Sequence, residues 1–462
     1  MELFLDSKGK QSKYIQIYEQ LKEKIMSREL VAGEKLPSIR YLAQELKLSK
    51  HTIDAAYQQL LAEGYIKSEA RSGLYVLPIE DFQIPQEVIQ KQFRINREEQ
   101  PIIDFHYGTI DVNNFPLTNW SKCIKEAMEE DLNCLQYGEP EGDLHLREEI
   151  KKYVARSRGI SCTVNQILIN NGTQSSVAFI IQLLKLMNHP VFFENPGYNE
   201  TRNVFQVSNC DIIPLPVEND GVCVSILNNN EAKALYVTPS HQFPLGSILS
   251  IQKRYELLKW AEIRDSYIIE DDYNSEFRYL GKPIPSLKSL DQLQRVIYLG
   301  TFSKSLLPAV RCSYMILPES IINKGKIMIN QQTQNCSPIL QKAIAIFMRE
   351  GFFEKHVRKM KTTYQKKQQL LIKNIKEKLK DEVDIIGQQG GLHILLRLKN
   401  IDAETLINRA RKVGIKIYST QQYWMNSSEL SNSYIMLGFG GLTNEEIVTG
   451  VTKLGSCFNN KI

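Results

Sequence analysis

The stretch GTFSKSLLPAVR, residues 300–311, contains the lysine on which the interpretation of the whole chain depends. It follows RVIYL, a β-branched and aromatic run that predicts a buried strand. A turn then leads to Lys304, and an apolar run ends at Arg311. Most lysines on such turns are solvated, whereas a lysine held in a cleft can act as a nucleophilic amine and form a Schiff base. The remainder of the chain must decide between these two interpretations.

The composition is typical of a globular protein with several domains. The 462 residues suggest about two to four domains, with 42% hydrophobic and 24% charged residues. A net charge of +5 permits a polyanionic partner without requiring one. The polar start and the short apolar runs predict a cytoplasmic protein with neither signal peptide nor membrane span. Eight cysteines without a CxxC pair favour reduced thiols, and no metal site is predicted.

The first 78 residues predict three helices and a β-wing. YIQIYEQLKEKI, residues 14–25, places Tyr14 and Tyr18 with three aliphatic residues on one helical face. Ser38 and Ser49 precede two further apolar-periodic segments and can cap them, and Gly64 ends the third helix. YIKSEARSGLYVLP, residues 65–78, then predicts two short strands. This order is typical of a winged helix-turn-helix.

A winged helix can read DNA with its third helix and its wing. The start of the third helix would enter the major groove, the preceding helix would contact the backbone, and the wing tip would lie at the minor groove. The candidate DNA-binding residues are Arg40, Ser49, Lys50, His51, Thr52, Arg71 and Gly73. A protein-interaction module of the same shape is the alternative, because the basic excess in this segment is small. The clustering of Arg40, Lys50 and Arg71 on one edge favours DNA.

The segment LPSIRYLAQELKLSKHTIDAAYQQLLAEGYI, together with SGLYV, resembles the GntR-type winged-helix regulators. The resemblance covers about residues 11–78 and implies operator DNA binding as a dimer. Residues 79–101 are polar, carry two prolines and predict an interdomain linker.

From residue 102 to residue 462, strand-like and helical runs alternate. This alternation predicts an α/β domain with a parallel sheet and helices on both faces. A smaller C-terminal α+β subdomain is expected over about residues 340–462. Ligands bind such sheets at the carboxyl ends of the strands, and the candidate site residues follow predicted strands.

The candidate site residues supply four chemical functions. Gly172, Thr173 and Gln174 in NNGTQSS offer backbone amides at a helix start, which suits a phosphate. ENPGY brings the aromatic ring of Tyr198, and SYIIEDDY brings adjacent carboxylates and Tyr273. With the amine of Lys304, these are the parts that pyridoxal phosphate requires.

The order of these motifs resembles that of the fold-type I aminotransferases, from about residue 103 to the end. The resemblance implies that Lys304 forms the Schiff base with the cofactor and that Asp271 pairs with the pyridinium nitrogen, with Asp272 as the alternative. It also implies that Tyr273 contacts the ring hydroxyl and that Tyr198 stacks on the ring. The phosphate contacts implied are Gly172, Thr173, Ser303, Arg311 and, from a partner subunit, Tyr137. Core packing is the alternative role for Tyr198 and Tyr137.

A GntR-type winged helix joined to an aminotransferase-like domain resembles the MocR/GabR-type subfamily of transcription regulators. That layout implies a head-to-tail homodimer and a conformational change on effector binding. Two positions depart from the pattern. Met436 stands where active aminotransferases carry a carboxylate-binding arginine, and Glu200 follows Tyr198 where effector sites carry a basic residue.

These departures favour a regulator that senses pyridoxal phosphate itself, as the pyridoxine-synthesis regulators of this subfamily do. The alternatives are an amino-acid effector bound by Arg202 or Arg311, and a competent aminotransferase with a vestigial winged helix.

Overall fold

The chain divides into two compact units, residues 1–98 and 99–462. The computed structural model describes residues 3–6, 11–78, 103–229, 231–281, 284–426 and 429–458. The linker predicted over residues 79–101 lies outside these described residues. Of the helices in the described ranges, none combines the length and apolar content that a membrane crossing requires.

The N-terminal unit has three helices followed by a two-stranded ribbon. The elements are α1 (Lys13–Met26), α2 (Ile39–Glu45), α3 (Lys50–Ala62), β1 (Ile66–Glu69) and β2 (Gly73–Val76). Ser38 and Ser49 cap α2 and α3, each accepting a hydrogen bond of 3.2 Å from the amide of Tyr41 or Thr52. β1 and β2 pair antiparallel, and Gly64 adopts a φ of 75° after α3. The local capping signals therefore set the element boundaries that the sequence predicts.

The core of this unit differs from the prediction at its margin. Ile17, Leu21 and Ile25 of α1 are buried, as the periodicity predicts. Tyr14 is 39% exposed, and Tyr18 is half-buried with its hydroxyl donating to Glu63. The buried stripe of α1 is narrower than predicted, because a tyrosine at the margin of a core keeps its hydroxyl in a polar environment.

The second unit begins with a large α/β part. Its elements are β3 (Ile103–Asp104), α4 (Leu117–Glu130), α5 (Leu144–Arg158), β4 (Ile167–Asn170), α6 (Thr173–Leu184), β5 (Pro190–Asn195), α7 (Asn199–Val207), β6 (Asp211–Glu218), β7 (Gly221–Val222), β8 (Ala234–Val237), α8 (Ile251–Ile263), β9 (Tyr267–Asp272), β10 (Val296–Thr301), β11 (Ser313–Ile316), α9 (Glu319–Ile329) and α10 (Pro338–Arg349).

The main sheet has eight strands in the order β4-β11-β10-β9-β8-β5-β6-β7. β10, β9, β8, β5 and β6 pair parallel, as predicted. The sheet is mixed, however, because β11 pairs antiparallel with β10 and β4, and β7 with β6. The connections before β11 and β7 contain no crossover helix, so the chain returns antiparallel.

The remaining elements form a smaller layer. They are α11 (Phe352–Lys378), β12 (Val383–Ile386), β13 (His393–Leu398), α12 (Ala403–Lys412), β14 (Ile415–Lys416), β15 (Tyr418–Ser419), β16 (Tyr434–Gly438) and α13 (Asn444–Ser456). β12, β13, β16 and β15 form an antiparallel sheet, and β14 pairs with β3.

The packing of α10 bears on the subdomain predicted from about residue 340. Ile344 and Phe347 of α10 share a hydrophobic cluster with Trp120, Ile167 and Tyr298 of the large α/β part. Residues 103–110, by contrast, contribute Phe105 and Ile110 to the cluster of the C-terminal sheet. By packing, the smaller layer therefore begins near α11 and includes the start of the second unit.

Candidate functional site

The carboxyl ends of β4, β5, β9 and β10 meet at one cavity of the second unit. It encloses about 980 Å³ when its solvent-open mouth is included. The residues that line it are His106, Tyr107, Gly108, Gly172, Thr173, Gln174, Tyr198, Glu200, Thr238, Phe243, Asp271, Tyr273, Thr301, Ser303, Lys304, Pro308 and Arg311. The cavity thus lies where a parallel sheet is expected to bind its ligand.

Lys304 lies on the turn after β10 and points into this cavity. Phe302 and Leu306, both buried, anchor the turn on either side of it. The Nζ atom donates to the carbonyl oxygens of Gly108 and Tyr107, at 3.0 and 3.3 Å. Burial lowers the pKa of Lys304 to about 8, while Glu200 opposes that shift. Because this pKa is near neutrality, a useful fraction of the amine is uncharged and nucleophilic.

The two adjacent carboxylates of β9 have different surroundings. Asp271 lines the cavity and accepts a hydrogen bond from the hydroxyl of Tyr236. Burial raises the pKa of Asp271 to about 7, and the Tyr236 hydrogen bond opposes the rise. Asp272 instead forms an ion pair of 2.6 Å with Nε of Arg158 and accepts from the Tyr298 hydroxyl at 2.6 Å. Of the two, Asp271 is the carboxylate available to a ligand.

Gly172 and Arg311 lie in close contact at the start of α6. Gly172 has a φ of 84°, and a Cβ atom there would lie 2.7 Å from Nη2 of Arg311. Only glycine therefore allows the guanidinium to approach this backbone. Thr173 begins α6, and Ser303 lies on the lysine turn with its amide bonded to Thr301 Oγ1 at 3.2 Å. Backbone amides at a helix start beside a guanidinium suit an anion such as phosphate.

Two tyrosines on the cavity wall differ in their partners. The Tyr273 hydroxyl is buried and has no hydrogen-bond partner among the residues that the structure describes. The Tyr198 hydroxyl donates to Glu200 Oε2 at 2.7 Å, and its ring packs edge-on against Phe243 with centroids 5.2 Å apart. An unpartnered buried hydroxyl is costly, so Tyr273 is suited to donate to a bound ligand.

Besides Asp272, three residues from the sequence analysis do not line the cavity. Tyr137 is 89% exposed. Arg202 is buried, and its Nη1 and Nη2 atoms donate to the carbonyls of Tyr423 and Gln422 at 2.9 and 2.7 Å. Met436 is buried in a cluster that includes Phe243. The guanidinium of Arg202 therefore holds the 422–423 backbone, which corrects the expectation that it could bind an effector carboxylate.

The sequence analysis missed several cavity residues. His106, Tyr107 and Gly108 come from the start of the second unit, almost 200 residues before Lys304. Nothing in their local sequence marks them. Phe243 and Thr238 lie in TPSHQFPLG, residues 238–246, for which the sequence analysis predicts no role.

The candidate DNA-binding residues lie in the N-terminal unit. Arg40, Ser49, Lys50, His51, Arg71 and Gly73 are exposed, and Thr52 is half-buried. Lys50 begins α3, so it and His51 occupy the first turn of the third helix. Arg71 lies in the turn between β1 and β2 with a φ of 61°, and Gly73 begins β2 with a φ of 130°. A basic first turn and a basic wing tip can contact phosphate or base edges.

Comparisons with known proteins agree with both units. A sequence profile of the bacterial regulatory proteins of the gntR family matches residues 13–76, and one of aminotransferase class I and II matches residues 101–429. The uncharacterized HTH-type transcriptional regulator YdeL of Bacillus subtilis is 38% identical, covering 96% of this chain and 96% of its own. The probable rhizopine catabolism regulatory protein MocR of Rhizobium meliloti is 29% identical over 99% and 96% of the two chains. The chain belongs to the MocR-type family of transcription regulators.

Two further relatives illustrate this MocR-type organisation. The pyridoxine biosynthesis transcriptional regulator PdxR of Corynebacterium glutamicum is 29% identical, covering 92% of this chain and 91% of its own. The crystal structure of Pyrococcus horikoshii kynurenine aminotransferase, in complex with PMP, superposes with a TM-score of 0.71 at 26% identity. The superposition covers 79% of this chain and 92% of the aminotransferase chain. The predicted fold, a winged helix joined to a fold-type I aminotransferase domain, is confirmed.

The aminotransferase fold indicates pyridoxal phosphate as the cofactor, and the cavity fits it. The Tyr273 hydroxyl is buried, and no residue in the described part of the chain forms a hydrogen bond with it. The close approach of Gly172 and Arg311 forms an anion cradle that any Cβ would fill. Lys304 supplies an amine whose pKa burial has lowered to about 8. These groups match the ring hydroxyl, the phosphate and the carbonyl of that cofactor.

Proposed function

We propose that this MocR-type regulator binds operator DNA through its winged helix and that pyridoxal phosphate in the Lys304 cavity sets its DNA affinity. The observation that carries the proposal is the convergence of the Lys304 amine, the Asp271 carboxylate and the Tyr273 hydroxyl in one cavity. The same chain presents an exposed basic edge on a complete winged helix. A cofactor site and a DNA-reading module in one chain are the parts of a ligand-controlled switch.

Each cavity residue has a proposed task toward the cofactor. When bound, pyridoxal phosphate supplies an electrophilic carbonyl carbon and an electron-accepting ring. Lys304 attaches it through its amine, and Asp271 keeps the proton on the ring nitrogen. Tyr273 donates to the ring oxygen, and Tyr198 packs against the ring. The phosphate contacts proposed are Gly172, Thr173, Ser303 and Arg311.

We propose that the cofactor itself is the main signal. Among the described residues that line the cavity, the basic side chains are Lys304, Arg311 and His106. Lys304 and Arg311 have proposed tasks toward the cofactor, and burial lowers the pKa of His106. An amino-acid carboxylate would lack a cationic partner, and an unpaired buried charge is costly. Met436 and Glu200 offer none. The 29%-identical relative PdxR, named for pyridoxine biosynthesis, supports a cofactor-sensing role.

The proposed working form is a head-to-tail homodimer in the cytoplasm, where operator DNA lies. Tyr137 is 89% exposed, and its neighbours Leu132 and Leu135 are 70% and 56% exposed. Three large apolar side chains close together on a surface are typical of an interface. This supports the prediction that Tyr137 contributes to the site of a partner subunit.

Covalent labelling tests the cofactor assignment. Purified full-length protein incubated with pyridoxal phosphate should show a visible absorption band that borohydride removes, and peptide mass mapping should then find the cofactor on Lys304. Lys304→Ala should lose the label, whereas Lys259→Ala, which changes an exposed lysine of α8, should retain it. Label on any other lysine in the wild type would overturn the assignment.

A further inference from the structure

Glu200 has no task in the proposed cofactor site, yet it lines the cavity. It lies in the first turn of α7, is exposed to solvent, and accepts a hydrogen bond of 2.7 Å from the Tyr198 hydroxyl. Its charge also acts on groups inside the cavity, since it raises the pKa of Lys304 against the effect of burial. Glu200 is therefore a solvent-exposed carboxylate of the cavity lining that interacts electrostatically with Lys304.

The charges of the loaded cavity leave Glu200 without an opposite charge. Apart from three tyrosines, the charged or titratable side chains of its described lining are Lys304, Arg311, Asp271, Glu200 and His106. Lys304 would carry the cofactor, Arg311 would face its phosphate, and Asp271 its ring nitrogen. Burial lowers the pKa of His106, which therefore stays mostly neutral at pH 7. With those groups assigned to the cofactor, Glu200 leaves one net negative charge on the open side of the described lining.

The walls beside Glu200 are aromatic. The ring centroid of Phe243 lies 5.4 Å from that of Tyr107 and 5.2 Å from that of Tyr198. The Tyr107 ring already has a cation near it, because Lys304 Nζ lies 5.3 Å from its centroid. Aromatic faces attract ammonium groups and also pack against methylene chains. A carboxylate beside such rings is the usual composition of an ammonium-binding site.

We propose that the open side of this cavity binds an alkylamine with a second cationic group, for which a diamine is the simplest example. Its methylenes would pack on Tyr107, Tyr198 and Phe243, and its outer ammonium would pair with Glu200. An effector with a carboxylate in that place would meet the like charge of Glu200. The inference rests on the proposed function, because it assigns the ligand class of the same regulatory cavity.

The proposal can be tested by comparing the affinities of three amines that have the same four-carbon chain and differ in the charge of the second end. Full-length protein loaded with pyridoxal phosphate is titrated calorimetrically with 1,4-diaminobutane, butylamine and 4-aminobutanoate, whose second ends are positive, neutral and negative. The diamine should bind about fivefold more tightly than butylamine, as expected for a partly exposed ion pair, and 4-aminobutanoate should bind most weakly.

Two variants assign the preference to Glu200. Glu200→Gln should remove the advantage of the diamine over butylamine, and Glu200→Arg should place 4-aminobutanoate ahead of the diamine. Glu262→Gln removes the same charge from an exposed position on α8 and should leave the order unchanged. Equal binding of the diamine and butylamine by the wild type, or a preference that survives in Glu200→Gln, would overturn the proposal.

Two further measurements on the same samples distinguish a failure of the proposed ligand class from a failure of the proposed function on which it rests. Covalent loading is read from the visible absorption band, and operator affinity is measured with and without cofactor. Absent loading, or an operator affinity that ignores the cofactor, would overturn the proposed function. Normal loading and a normal DNA response with no preference for the diamine would overturn the ligand class alone.

Discussion

Replacing each aspartate of β9 in turn should separate cofactor binding from folding. Asp271 lines the cavity, whereas Asp272 is buried against Arg158 at 2.6 Å. Asp271→Asn exchanges a charge-assisted hydrogen bond to the ring nitrogen for a neutral one. Such bonds contribute about 1.5–3 kcal/mol, so the affinity for pyridoxal phosphate should fall roughly ten- to a hundredfold. The cofactor-free protein should lose no stability, because a neutral amide replaces a buried carboxylate whose pKa burial raises to about 7.

Asp272→Asn should have the opposite profile. It leaves the buried guanidinium of Arg158 without its opposing charge, although Arg158 keeps hydrogen bonds of 2.6 Å to Ile284 O and Ser240 Oγ. Breaking a buried pair costs about 3–5 kcal/mol, a large part of the stability of a typical domain. Urea unfolding measures this loss, and fluorescence titration measures cofactor affinity. If Asp272→Asn weakens cofactor binding at unchanged stability while Asp271→Asn does not, the assignment across β9 is wrong.

The pH dependence of stability gives a second view of Asp271. Burial raises its pKa to about 7 in the cofactor-free protein. The folded state therefore keeps a proton that the unfolded chain releases near pH ~4. Between pH ~4 and pH ~7 the unfolded state binds fewer protons at this residue than the folded state does. The free energy of unfolding therefore falls as pH rises through this range, and this residue causes no further change above pH ~7. Asp271→Asn should thus gain stability relative to the wild type across that window, and parallel curves would contradict the raised pKa.

Three further results are expected. The rate of cofactor attachment should rise with pH and reach half its maximum near pH 8, because burial lowers the pKa of Lys304 to about 8. In Glu200→Gln the pH midpoint of this rate should move down, and an unchanged midpoint would show that Glu200 and Lys304 are uncoupled. Arg202→Met should lower the melting temperature by releasing the carbonyls of Tyr423 and Gln422, yet leave the diamine preference intact, whereas a changed preference would return Arg202 to the effector site. Arg40→Ala or Lys50→Ala should weaken operator binding and reduce its salt dependence by about one unit of slope; unchanged affinity and slope in both variants would mean that another face contacts DNA.

The features that the sequence predicted correctly depend on local signals. Ser38 and Ser49 precede apolar-periodic segments, and a side chain that bonds an amide three residues on needs no distant partner. Lys304 follows a predicted strand, and the carboxyl ends of parallel strands converge at one edge of the sheet regardless of the chain between them. The position of the cavity therefore followed from element order.

What the sequence could not predict depends on contacts between distant residues. Arg202 lies four residues after Tyr198, and only the fold reveals that its guanidinium faces carbonyls more than two hundred residues away. His106 and Tyr107 reach the lysine from the start of the second unit, without a local motif. Asp271 and Asp272 alternate across one strand, so their different environments depend on how β9 packs between its neighbours.

The central claim is that cofactor occupancy of the Lys304 cavity is coupled to operator binding. The most direct test measures the affinity of the full-length protein for an operator fragment, selected in vitro from random DNA, while pyridoxal phosphate is titrated into cofactor-free protein. The dissociation constant for DNA should change by about fivefold or more over the range in which the cofactor binds, and change little further when 4-aminobutanoate follows. Lys304→Ala should respond less. An operator affinity identical with and without cofactor, or a large second change on adding the amino acid, would contradict the account.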